Sequence, residues 1–127
     1  MRRFDSVEEF ASLEEDDLPR LAVDASRLAI AASGTDEPDA LEALRKVELG
    51  QDDSDAAVLM NALALRLDQD AWTAQEAGDE ARYDWLFRKA RAVATLAFAL
   101  QAEPDEAIYE AAHAVGSIEE LLRQLTS

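Results

Sequence analysis

The stretch from Ser54 to Leu100 constrains the fold of this chain more than any other, because it holds two long apolar helical patterns separated only by Gly78-Asp79. Helices joined by so short a connector must fold back on each other, so residues 55–77 and 80–100 are expected to form a long antiparallel helical hairpin. From Ala56 to Leu67 only Asn61 and Arg66 interrupt the apolar run. That predicts a first hairpin helix surrounded on most sides and lying at the centre of the structure. The second keeps its charges in its first half, at Glu80, Arg82, Asp84, Arg88, Lys89 and Arg91, and becomes almost wholly apolar from Ala92 to Leu100. Its buried stripe is expected to include Tyr83, Leu86, Phe87, Ala90, Val93, Ala94, Ala97 and Phe98.

The rest of the chain is punctuated so that nearly every Gly and Pro falls between periodic segments. Ser6-Val7-Glu8-Glu9 has the spacing of a capping box and predicts a short helix from Val7 to about Glu15. Asp16-Asp17-Leu18-Pro19 and Thr35-Asp36-Glu37-Pro38 each pair an acidic cap with a proline in the first turn, starting helices that stop at Gly34 and Gly50. Gln51 to Asp55 crowds carboxylates at the next helix start, where the macrodipole favours them. Glu103-Pro104 opens another helix, ended by Gly116, and Ser117-Ile118-Glu119-Glu120 is a second capping box. The sum is an all-α, irregular bundle of about seven helices built around the hairpin, in a single domain over residues 1–127. Hydrophobic residues make up 49% of the chain, but so many are alanine that the core is expected to be thin rather than aromatic-rich.

Gly78, Phe87 and Ala90 fall at spacings that resemble part of the tetratricopeptide pattern over about a dozen residues. The resemblance ends there. The signature Trp, Leu and Gly of that pattern's first helix are not in place, Arg91 and Thr95 stand where Leu and Pro belong, and the hairpin helices are too long. No peptide-binding function is carried over from that family.

With 28 acidic residues against 12 basic, the chain has a formal net charge of −16. Such a surface repels phosphate backbones and anionic lipid, so neither a nucleic-acid nor a membrane partner is expected. It attracts basic proteins and speeds their encounter, although acidity serves solubility equally well. The absence of cysteine excludes disulfides, iron–sulfur clusters and thiolate zinc sites. Met1-Arg2-Arg3 turns acidic before any apolar segment, so no secretory signal is expected, and Arg66, Asp68, Arg88 and Arg91 break the segments that would otherwise span a membrane. A cytoplasmic protein is the resulting expectation.

The sole histidine, His113, follows Glu110 by three residues, the half-motif of ferritin-like di-metal sites. That chemistry needs further inward-pointing carboxylates, and none lies between Ala56 and Leu67, so neither metal nor another cofactor is expected. Serines stand at helix caps (Ser6, Ser54, Ser117) or near helix ends (Ser26, Ser33), with no second histidine to activate one, and glycines stand singly. No catalytic residues are assigned, and the chain is not expected to be an enzyme.

Binding remains. Arg82, Arg88, Lys89 and Arg91 should pair with Asp79, Asp84 and neighbouring acidic helices rather than with nucleic acid. Trp72, Tyr83 and Trp85 flank the Gly78 turn, where they either pack the end of the bundle or anchor a partner. The leading expectation is a non-catalytic acidic domain that recognises a basic partner protein. Its most concrete form is a bacterial immunity or antitoxin protein that neutralises a nuclease-like toxin by stoichiometric binding. The candidate partner-binding residues are Asp52, Asp53 and Asp55 before the hairpin, and Asp68, Asp70, Trp72, Glu76, Asp79, Tyr83 and Trp85 around its turn. A helical adaptor or homodimeric structural protein, using an apolar face of the hairpin, and a carboxylate/His metal-binding bundle are the alternatives.

Overall fold

Alanine-rich segments bounded by Gly and Pro become helices in the computed structural model, which describes residues 17–125. Among these residues there are six helices and no strand: α1 (Leu18–Ser33), α2 (Pro38–Glu48), α3 (Ser54–Glu76), α4 (Glu80–Leu100), α5 (Pro104–Val115) and α6 (Ile118–Leu125). The helix expected over Val7 to Glu15 lies outside the described residues.

The hairpin forms as expected from α3 and α4. Gly78 takes φ +80°, a left-handed conformation that costs a residue without Cβ little, and the Asp79 N–H donates to the Ala74 carbonyl at 2.9 Å. The Asp79 carboxylate then accepts from the Arg82 N–H at 3.1 Å, capping the returning helix. At the open end the Asp53 N–H donates to the Leu100 carbonyl at 3.1 Å, tying the start of α3 to the end of α4.

The centre of the structure is α4, not α3. The buried residues of α3 are Ala57, Met60, Ala64, Leu67, Ala71 and Ala74, one seam with alternating steps of three and four, and it faces α4. By contrast, α4 packs against α1, α2, α3 and α5, and all six residues from Ala92 to Ala97 are buried. An apolar run shows that a helix can be covered but not which neighbours cover it. Here Ala90, Ala92, Ala94 and Ala97 let other helices approach α4 from several directions, while α3 is left at the edge.

Alanine supplies 17 of the 29 buried apolar residues and no aromatic is among them, so the described core is thin, as the composition implies. Side-chain caps occur at Asp53, Asp79 and Ser117. Glu37 and Glu103 occupy cap positions without capping, since Glu is a methylene longer than the residues that reach back to the first turn. Asp17 also fails to cap, because it already has helical angles rather than the extended ones a cap requires. Only half of the second capping box closes: Ser117 Oγ accepts from the Glu120 N–H, whereas the Glu120 carboxylate turns to Arg123 and Gln124.

Candidate partner-binding surface

The ten candidate residues do not form one patch. Asp52, Asp53 and Asp55 stand at the start of α3 and Glu76 at its end, about 34 Å away at 1.5 Å per residue. Tyr83 and Trp85 are two positions apart on α4, about 200° around the helix, and so face opposite sides of the hairpin. Trp85 lies on the α2 side, its ring 4.5 Å from Lys89 Nζ. Tyr83 faces away from it and stacks on Phe87, ring centroids 5.9 Å apart. Asp70 and Asp79 line a shallow depression beside Arg82.

Several of the acids already have structural work. Asp53 accepts from the Ala56 N–H at 3.0 Å and from Lys46 Nζ at 2.8 Å. The Lys46 hydrogen bond, then that of Ala56, holds the Asp53 carboxyl below its ordinary value of 3.8. A depressed pKa contributes stability above the unfolded value and loses it as pH falls through the folded one. Asp53→Ala is therefore expected to lower Tm at neutral pH and to lose that effect in acid, which melts across pH 2–6 would read. Asp68 is likewise committed, 2.5 Å from one Arg91 nitrogen, while Glu110 binds the other at 2.8 Å. One guanidinium thus joins α3, α4 and α5, and it also lies over the Phe87 ring at 5.4 Å. Of the expected pairings of the basic cluster, those with neighbouring acidic helices form for Lys89 and Arg91, and neither residue pairs with Asp79 or Asp84. Lys89 goes to Glu37 at 2.8 Å and Arg91 to Asp68 and Glu110.

What the structure does bring together is Asp68, Trp72 and Tyr83, with Leu65, Phe87 and Arg91, around a hollow of about 360 Å³ between α3 and α4. Leu65 and Trp72 are 59% and 66% exposed, and Val58, seven residues before Leu65, is 67% exposed. Positions 58, 65 and 72 recur at the heptad step and therefore lie on one side of α3, next to the seam that packs on α4. The apolar run from Ala56 to Leu67 predicts a helix covered on most sides, yet Val58 and Leu65 within it face water. Their signal was the regular 57, 60, 64, 67, 71, 74 seam, which by itself satisfies α4 and leaves 58, 65 and 72 over. The carboxylates of Asp70 and Glu76 on the same helix are exposed and make no salt bridge with a described residue.

A second hollow, about 460 Å³, lies elsewhere, between α5 and α6. Its rim carries exposed Asp105, Glu106, Tyr109 and His113, the imidazole edge-on to Tyr109 with centroids 5.0 Å apart. Glu110 is turned away from His113 into its pair with Arg91, so the Glu-x-x-His half-motif does not converge. Among the described residues no three His, Asp or Glu side chains gather as a metal site would require, and no helix is long and apolar enough to cross a membrane. Comparison with protein-family models, curated proteins and solved structures finds no match to this chain.

Proposed function

We propose that this protein is a stoichiometric binding domain for a basic partner protein, in its most concrete form an immunity- or antitoxin-type inhibitor of a nuclease-like toxin. The observation that carries the reading is the exposed Val58, Leu65 and Trp72 stripe on a hairpin tied at both ends, in a chain of net charge −16. Apolar anchors with Trp among them supply a slow dissociation, and the acidic field supplies a fast association with a positively charged surface. A nuclease cleft suits this arrangement, because it must be basic to hold nucleic acid.

Affinity capture from the protein's own host tests the reading. One basic partner in 1:1 ratio is expected, with an association rate that falls steeply with salt and a dissociation rate that hardly moves. Capture of no partner, or of one whose association ignores salt, would count against it. The same stripe also favours a second reading, a homodimer through the hairpin face. Salt-insensitive self-association in sedimentation would support that reading instead.

A further inference from the structure

Resting on that reading, we infer that the groove between α3 and α4 takes a basic amphipathic helix of the partner, which completes a three-helix arrangement with the hairpin. Val58, Leu65 and Trp72 are spaced seven residues apart, so the three anchors cover about 21 Å of helix length. A helix laid alongside repeats its apolar positions every three to four residues and meets each anchor in turn, which is helix-in-groove recognition. Tyr83 and Phe87 form the far wall near the turn. The Asp68 to Arg91 ion pair sits between the walls and leaves that stretch of groove floor locally neutralised.

Charge decides the occupant. Asp55, three positions before Val58, and Glu76, four after Trp72, are exposed on the same side of α3 as the stripe, and the whole chain carries −16. A second copy docked antiparallel on the same stripe would set Asp55 of each protomer near Glu76 of the other and bring like charges together at both ends. A helix with Lys or Arg flanking its apolar seam instead meets carboxylates on the flanks and apolar surface in the middle. A neutral helix gains only the apolar part of that complementarity, and an acidic one meets like-charge repulsion.

The test uses a synthetic peptide of about 21 residues, long enough to span the three anchors, with Leu and Ala at alternating three- and four-residue steps and Lys elsewhere. In the Trp85→Phe protein, Trp72 is the only tryptophan left and reports directly from the stripe. The patterned peptide is expected to shift Trp72 emission to the blue and to bind roughly tenfold more tightly than a scrambled peptide of identical composition. Leu65→Asp and Val58→Asp should each weaken it by roughly thirtyfold, as for loss of an interface anchor. Both sites are exposed, so circular dichroism should show the native helix content. Each variant also adds a negative charge, so a loss of affinity for a cationic peptide cannot be electrostatic.

Equal binding of the patterned and scrambled peptides, or indifference to both Asp variants, would overturn the groove assignment. So would a dimer of the free protein that Leu65→Asp dissolves, or a free-protein Trp72 emission already blue and moved to the red by Phe10→Asp. These last two outcomes would place a second copy or the chain's own first residues in the groove. With a natural partner in hand the two proposals separate. Binding that survives Leu65→Asp but is lost with Asp52→Asn and Asp55→Asn removes the groove and keeps the basic partner. A groove that binds the patterned peptide in a protein that captures nothing from its host does the reverse.

Discussion

Leu96→Ala is expected to destabilise the protein by about 3 to 4 kcal/mol, whereas Leu65→Ala should change stability by less than about 0.5 kcal/mol. Both residues are leucines in apolar stretches of the hairpin, yet Leu96 is fully buried and Leu65 is mostly exposed. Removing three carbons from Leu96 loses their transfer free energy and opens a cavity in α4, the helix packed on α1, α2, α3 and α5. Its neighbours Ala92, Ala94 and Ala97 have no longer side chains with which to refill the space. At Leu65 the same deletion only trims surface that water already reaches. Urea unfolding of both variants measures the contrast. Comparable losses at the two positions would mean that α3 is covered as deeply as α4, and the assignment of the exposed stripe would fail with it.

Glu37→Gln should cost about 2 kcal/mol, because it leaves the Lys89 ammonium charged beneath α2 without its carboxylate. Lys89 is buried and lies 2.8 Å from Glu37, with Trp85 stacked against the same ammonium. Breaking a fully buried pair costs about 3 to 5 kcal/mol, and the figure here is lower because about a quarter of the Glu37 side chain (26%) still meets water. Lys89→Met added to Glu37→Gln should recover most of the loss, since it removes the stranded charge and retains the volume.

Acid should remove the advantage of the wild-type protein over Glu37→Gln. Burial alone would raise the Glu37 pKa, but the hydrogen bond and charge of Lys89, helped by the Asp36 N–H, outweigh it and hold the carboxyl below its ordinary 4.5. The pair therefore stabilises fully above pH 4.5 and loses its effect as pH falls through the folded-state pKa. A stability gap between wild type and Glu37→Gln that persists undiminished at pH 2 would show that Glu37 acts through packing rather than charge.

Much of the backbone was legible because its signals are local. Gly34, Gly50, Gly78 and Gly116 each stand at the end of a helix with positive φ, and Pro38 and Pro104 each begin one, since these residues act through their own dihedral angles. Ala102 is the exception, with φ +58° after α4, a conformation that carries no sequence marker because alanine rarely adopts it. The hairpin followed from the same local signs. Less of the candidate site was legible. Trp72, Tyr83 and Trp85 are close in sequence around one turn, but a helix sends residues two positions apart to opposite faces, and Trp85 went with Lys89 and Glu37 instead.

The amino-acid sequence by itself determined the all-α class, where the described helices begin and end, the antiparallel hairpin, the thin alanine core and the acidic surface, because each depends on residues near one another in the chain or on composition alone. Tertiary structure decided that α4 rather than α3 is enclosed, that Asp68 and Glu110 share Arg91, and that Val58, Leu65 and Trp72 face water. The physical reason is that a heptad seam and the stripe beside it have the same period. Only the helices that arrive from elsewhere in the chain determine which of the two is covered.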